Sequence, residues 1–394
     1  MRAAGLLLVL ACAGSVLAGP RNSELITAVP AAGKTVFYQI DSAGRHNIAA
    51  SATHIALVWE TVAGGSGSTS IAFKAHAEKT FSSPQQLSES ADAFSPSITP
   101  CGNGFVVAWI AGKQLRARTA RADALGPVAT IAEGDIAEIS VGCREDRELL
   151  VAWAGNAGRN SHVYLARADL DGDRLQPRVS VAVAPKDKFH SQSNPGVTFA
   201  KGRYIVSWHD RSTGTNLLYA VSGAEPGAFE APVQINEWIQ KSDEWGKGSS
   251  AIRNVLSVTR DGWVTIAWLD KRGSRSGYKV YATFSADGGL KWGENYRVSD
   301  DFSDDIPQWS LSLTADKKGK AVAAWMDSRY DENAIWMARL HGISWSDDIG
   351  ISDEGEYRPR SPAVCFGPDG TLHAVWIEDD PQGEGMRIVY RGGS

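Results

Sequence analysis

Seven times along this 394-residue chain a short apolar run ends in tryptophan, and the intervals stay close to the size of one supersecondary unit. The anchors are Trp59, Trp109, Trp153, Trp208, Trp268, Trp325 and Trp376, separated by 50, 44, 55, 60, 57 and 51 residues. Strand-like runs at such a period are the signature of a radial β array. An all-β, seven-bladed propeller of four-stranded antiparallel blades is the expected architecture. The same regularity warns that many recurring residues are scaffold, because function sits in sites grafted onto a fold.

Each repeat has one grammar. An apolar segment such as Ser97-Ile98-Thr99 is followed by a turn, usually with glycine, and then by the tryptophan run, as in Val106-Val107-Ala108-Trp109 or Val322-Ala323-Ala324-Trp325. These runs are apolar or small on both faces, which suits strands sandwiched between neighbouring blades. An aromatic stands in a third segment (Tyr164, Tyr219, Tyr281, Trp336, Tyr390), and a short fourth segment such as Val233-Gln234-Ile235 closes the repeat. The last repeat ends after its third strand. The segment Thr35-Val36-Phe37-Tyr38-Gln39-Ile40 is therefore expected to supply the missing strand of the seventh blade, which removes an open sheet edge.

The first eighteen residues read as a cleaved export signal: Arg2, an apolar run from Gly5 to Ala11, then Val16-Leu17-Ala18. The run is too short to span a bilayer, and no other segment is a transmembrane candidate. Cys12 loosely resembles a lipoprotein cleavage site, but bulky Leu10 makes lipid anchoring the minor alternative. The expected organisation is a signal over 1–18 and one propeller over 19–394, exported to a periplasm or the cell exterior. The whole chain carries 40 Lys and Arg against 45 Asp and Glu. That balance gives no phosphate-neutralising footprint, so nucleic acid is not expected as a partner. Cys101, Cys143 and Cys365 match no zinc pattern. Cys101 and Cys143 lie in equivalent places of consecutive repeats, either bridged in an oxidising compartment or buried as thiols.

The most specific motif is Ser285-Ala286-Asp287-Gly288-Gly289-Leu290-Lys291-Trp292, which fits S-x-D-x-G-x-x-W on a hairpin. Its carboxylate is suited to turn amides, its glycines to positive φ, and its indole to plugging the blade. On these residues the chain resembles the sialidase superfamily of Asp-box propellers. Ala168-Asp169-Leu170-Asp171-Gly172 and Ser344-Trp345-Ser346-Asp347-Asp348 look like degenerate copies. The resemblance implies an exported propeller with a glycan or protein ligand, or an exo-acting glycoside hydrolase such as an exo-α-sialidase. Sialidases have six blades, the second choice for this fold, and an early arginine-isoleucine-proline motif that this chain lacks. The nearest strings hold Arg253 (Ala251-Ile252-Arg253-Asn254) and Arg358 (Tyr357-Arg358-Pro359-Arg360). In that family the Asp box is a structural turn away from the catalytic face.

A second motif recurs: Trp208-His209-Asp210-Arg211, Trp268-Leu269-Asp270-Lys271-Arg272 and Trp325-Met326-Asp327-Ser328-Arg329, with Trp376-Ile377-Glu378-Asp379 as a partial copy. Arg211, Arg272 and Arg329 could clamp a ligand carboxylate. Alternatively Asp210, Asp270 and Asp327 pair with arginines to stiffen their loops, which recurrence in register favours. The segment from Asn236 to Trp245 breaks the symmetry. Its Trp238 and Trp245 could stack on sugar rings or pack down as a lid.

Asp300, Asp301, Asp304 and Asp305 read as a solvated turn, since no calcium-loop pattern is complete, and Asp171-Gly172 reads as a hairpin turn. Neither a nucleophile elbow nor a zinc-protease motif occurs. A sialidase-type tyrosine nucleophile has Tyr330 and Tyr357 as candidates, with Asp210 or Asp270 as acid, and nothing in the sequence singles one out. No cofactor and no metal is expected.

Overall fold

The computed structural model describes residues 24–26, 36–39, 46–63, 66–89, 92–157, 159–237, 250–259, 261–272, 277–301, 303, 305–316, 318–353, 357–379 and 385–393. The proposed signal, Trp238 and Trp245 lie outside the described residues. Among those described there is no helix, and the strands form seven antiparallel sheets in chain order. Blade four is representative: Gln192–Ala200, Arg203–Asp210, Leu217–Gly223 and Val233–Gln234 pair in sequence. The six-bladed alternative is thereby excluded.

Closure differs from expectation in one respect. The strand completing blade seven is Glu24–Leu25, which pairs with Met386–Gly393 through Glu24↔Tyr390 and Leu25↔Val389. Val36–Gln39 instead lies along His54–Ala63 of blade one, beside Ile48–Ala50. Blade one's first strand is thus built in two pieces, Val36–Gln39 and Ile48–Ala50. Only the second piece is joined directly to the tryptophan strand by a short turn, which is why 35–40 looked foreign to that blade.

Seven tryptophans anchor the seams. Trp208 packs with Leu150 and Ala152 of blade three, Trp268 with Ile205 of blade four, and Trp325 with Ala267 of blade five, so each faces the preceding blade. Trp109, Trp208, Trp268, Trp325 and Trp376 are all at most 1% exposed, and truncating an aromatic buried like this costs about 3–5 kcal/mol. In blades three to six the tryptophan sits opposite the expected third-strand aromatic: Trp153↔Tyr164, Trp208↔Tyr219, Trp268↔Tyr281, Trp325↔Trp336. Blade seven is shifted by one, because Tyr390 faces Val375 and Trp376 faces Val389. Tyr390 therefore points into the closing seam, where it meets Phe81 edge-on. A disulfide joins Cys101 to Cys143 with Cα atoms 5.6 Å apart, bridging blades two and three, and Cys365 is a buried free thiol.

The blades present two unlike faces. The first-to-second and third-to-fourth turns form a hairpin face, which carries Ser285–Trp292. There Asp287 Oδ1 accepts from Ser285 Oγ (2.9 Å), Leu290 N and Lys291 N (both 3.0 Å), while Gly288 and Gly289 have φ of +76° and +86°. The second-to-third loops and the fourth-to-first connections form the opposite, loop face. The first strands pack against one another around the axis. In blades two to seven each carries a register shift towards the loop face. Ser95, Asn194, Arg253, Ser310 and Ser361 take positive φ at these bulges.

Candidate functional site: the loop face

The tryptophan strands end on the loop face, so in blades four to seven the carboxylate two residues beyond the tryptophan (Asp210, Asp270, Asp327, Glu378) reaches the rim of a seam. In blade five Asp270 is 0% exposed. Its Oδ2 accepts from Trp268 Nε1 (2.9 Å), Arg272 Nη2 (2.8 Å) and Arg272 Nε (3.0 Å), and its Oδ1 from Arg272 N (2.9 Å). Arg272 also reaches Glu237 (3.1 Å) and Asn295 (2.7 Å), and its guanidinium lies 4.6 Å from the Tyr281 ring centre.

Blade six repeats the arrangement. Asp327 Oδ2 accepts from Trp325 Nε1 (3.1 Å) and Arg329 Nη2 (2.6 Å), and the guanidinium stacks 4.0 Å from Trp336. Arg329 Nη1 also meets Asp348 at 2.8 Å and Asp300 at 3.7 Å. Burial, and sharing a site with Asp300, push the Asp348 carboxyl up to about 6 against the pull of Arg329. Against desolvation, the hydrogen bonds that Arg329 donates to Asp327 and Asp348, with the charges of those carboxylates, raise the Arg329 pKa. In blade seven Glu378 accepts from Trp376 Nε1 (2.9 Å) and Arg387 Nε (2.7 Å).

Blade four departs from its sisters. Asp210 Oδ1 accepts from Ser212 N (2.7 Å), but Asp210 Oδ2 and Trp208 Nε1 are both buried with no partner among the described residues. Arg211 is exposed. Both nitrogens of His209 are likewise buried without partners, and desolvation lowers its pKa to about 3, which keeps it neutral.

The arginines flagged in the sequence do not converge. Arg211, Arg272 and Arg329 belong to three different seams, and the last two are held by carboxylates of their own blades. Arg253 occupies the blade-five bulge at φ +55°, its N–H donating to Asn194 Oδ1 (2.9 Å). Arg358 is exposed at the start of blade seven, opposite Asp379, which pairs with Arg360 at 2.8 Å. Tyr330 is 76% exposed and Tyr357 lies under Arg387, 3.6 Å from its guanidinium. The acidic run is a solvated turn only in part: Asp300 and Asp305 are exposed, but the run also holds two cations. Asp301 holds the buried Lys279 at 3.0 Å and Asp300 belongs to the Arg329 network; Asp304 lies outside the described residues. Among the described residues no group of three or more His, Cys, Asp or Glu is placed to hold a metal ion, and no helix is long and apolar enough to cross a membrane.

One constellation escaped the sequence. Tyr204 donates to Glu148 (3.0 Å), Arg144 and Arg167 meet Glu148 at 3.1 and 3.0 Å, and both arginines also approach the Tyr204 hydroxyl. It lies on the hairpin side of the seam between blades three and four, and Tyr204 is 1% exposed. Burial and the Glu148 charge raise the tyrosine pKa, so the phenol stays protonated. This is an interblade strut. No local motif announces it, because its members sit in four strands of two blades. The same face carries a cavity of about 620 Å³ between blades two and three, lined by Phe105, Thr119, Arg121, Asp146, Leu170 and Asp173.

No protein-family model matches the sequence, and no curated protein is similar to it. Solved structures similar to the chain include the β-propeller domain of the trilobed protease from Pyrococcus furiosus, at 10% identity over 90% of this chain and 96% of that one, TM-score 0.52. An ulvan lyase of a polysaccharide lyase family aligns at 11% identity over 75% of this chain and 82% of that one, TM-score 0.50. The intramolecular trans-sialidase from Ruminococcus gnavus aligns at 11% identity over 92% of this chain and 97% of that one, TM-score 0.46. At such identities the likeness is one of fold. The chain is a seven-bladed β-propeller.

Proposed function

We propose that the protein is an exported recognition module, a single propeller over residues 19–394, that binds glycans through its loop face without cleaving them. The observation that carries this reading is the fate of the arginines. Arg272 and Arg329 are each held by a carboxylate of their own blade, so among the described residues the candidate arginines do not converge on a tyrosine and an acid. The cluster that does combine those groups is turned to the other face with its tyrosine buried. Among what the loop face offers a ligand are two aromatic side chains: Trp309, 36% exposed and edge-on to Tyr278, and the exposed Tyr330. Aromatic faces of this kind suit the apolar faces of sugar rings. The Cys101–Cys143 bridge supports export to an oxidising compartment. The polysaccharide-directed neighbour agrees with a sugar ligand, and Trp238 and Trp245 are proposed to contribute from the connection into blade five.

The test is a glycan array run beside a hydrolysis assay on aryl sialosides and neutral aryl glycosides. Binding without turnover, weakened in Trp238→Ala or Trp245→Ala, is expected. Turnover of a sialoside would replace this reading with the exo-glycosidase one, and capture of protein but no glycan would redirect it to a protein ligand.

A further inference from the structure

The unpaired groups of blade four lie where blades five to seven are tightly bonded; the anchor indoles Trp109 and Trp153 also lack partners among the described residues, but no carboxylate stands two residues beyond them. In blades five, six and seven the indole N–H of the anchor tryptophan donates to the carboxylate two residues on, and an arginine caps that carboxylate. In blade four the tryptophan and the carboxylate are present and nearly fully buried, at 0% and 3% exposure. Yet Trp208 Nε1 lacks an acceptor and Asp210 Oδ2 lacks a donor. Buried polar groups are seldom left unpaired, and each exception calls for a reason.

The cause is a one-residue offset. Arg272 and Arg329 stand two residues after their aspartates, whereas Arg211 follows Asp210 directly and points outward, leaving Ser212 in the capping position. The space of the missing guanidinium is taken by Phe189. Its ring centre lies 5.0 Å from Tyr219 and 5.7 Å from Trp208. The Arg272 guanidinium lies 4.6 Å from Tyr281 and 5.8 Å from Trp268. A phenyl ring fills that volume but offers the carboxylate no hydrogen bond. Phe189 is only half-buried and comes from the connection into blade four, so it is the group a ligand would displace.

The chemistry of the pair selects its partner. A cation would satisfy Asp210 and leave the indole N–H bare; an anion would accept from the indole but be repelled by the carboxylate. One hydroxyl group satisfies both, accepting from Trp208 Nε1 and donating to Asp210 Oδ2. We propose that Trp208 and Asp210 are the hydroxyl-reading pair of a binding site for neutral sugars at the seam of blades three and four, entered by displacing Phe189. Tyr219, half-buried beside them, offers its ring to the sugar face. This rests on the glycan-binding reading above and names its site.

The experiment uses the mature protein, a printed array of neutral and acidic oligosaccharides, and calorimetric titration of every sugar that binds. Asp210→Asn should weaken neutral sugars at least tenfold. The double variant Phe189→Ala/Ser212→Arg, which restores the cap of blades five and six, should abolish binding while melting at or above wild type. Arg147→Ala on the hairpin face should bind normally. If sugars bind all variants alike, the glycan reading stands and this site is wrong, the pair being bridged by water only. Binding confined to acidic sugars would also overturn it. A blank array, together with a Trp208 indole ¹H–¹⁵N resonance unmoved by methyl glycosides, removes both the site and the glycan reading.

Discussion

The seams before blade six and before blade four carry the same words in sequence and opposite electrostatics in space. In blade six one guanidinium stands among Asp327, Asp348 and Asp300, stacked on Trp336. In blade four a phenyl ring packs on the anchor tryptophan, and the arginine is outside. The first is closed and self-sufficient, so its charges hold the fold. The second has hydrogen-bonding capacity left over. In a repeat protein the motif thus marks a position, and one residue of offset decides whether the charge there is consumed or available.

The largest expected difference comes from deleting the cation of the closed seam. Arg329→Ala leaves Asp327 and Asp348, whose side chains are 0% and 2% exposed, without their counter-ion. Breaking a buried pair in this way costs about 3–5 kcal/mol, so the melting temperature should fall steeply. A variant melting like wild type would show the network to be dispensable.

Next comes the paired substitution of the two aspartates. Asp270→Asn removes the charge that Arg272 and the Trp268 indole share, and it should cost about 1–3 kcal/mol with sugar binding intact. Asp210→Asn removes a buried charge that no cation offsets, so it should be neutral or stabilising in denaturant melts. Equal losses in both variants would erase the distinction between the seams.

How much of this was legible beforehand follows the range of the interactions. The seven blades, their strand order and the third-strand aromatics of blades three to six are written in local period and pattern. Closure by Glu24–Leu25 was misassigned to 35–40 because a strand of two residues carries too little pattern to find, while Val36-Phe37-Tyr38 is conspicuous. The arginine offset at 211 was visible in the letters, and its consequence was not. That needs Phe189, nineteen residues before Trp208, to be known as the group filling the gap. The Arg144–Glu148–Arg167–Tyr204 strut and the links of Asp300 and Asp348 to Arg329 join side chains of separate hairpins, and no spacing rule reaches them.

The closed seam should also report on pH, by roughly 1–2 kcal/mol. Asp348 titrates near its ordinary value of 3.8 when unfolded and at about 6 in the folded protein. A carboxyl whose folded pKa is raised stabilises the fold while protonated. Its contribution is complete below about pH 4 and is lost as pH rises towards 6. Asp348→Asn, which keeps the neutral shape, should lack that decline. The stability difference between wild type and variant should therefore move in the variant's favour between pH 4 and 6, and stay flat above. A difference flat across the window would mean that Arg329 keeps Asp348 ionised throughout.

The smallest effect is expected at Arg211, the exposed one of the three motif arginines. Arg211 follows its aspartate directly, so the strand's alternation turns it away from the face that Trp208 and Asp210 share, and its guanidinium is left in water. Exposed charges without such a network contribute little, and Arg211→Ala should change stability by no more than about 0.5 kcal/mol. Measured beside Arg329→Ala under the same conditions, it gives the comparison its sharpest form: one motif, one residue type, and a cost set by a single position of offset. A loss for Arg211→Ala approaching that of Arg329→Ala would mean that Arg211 folds back onto Asp210 in solution, and the open seam would then be closed after all.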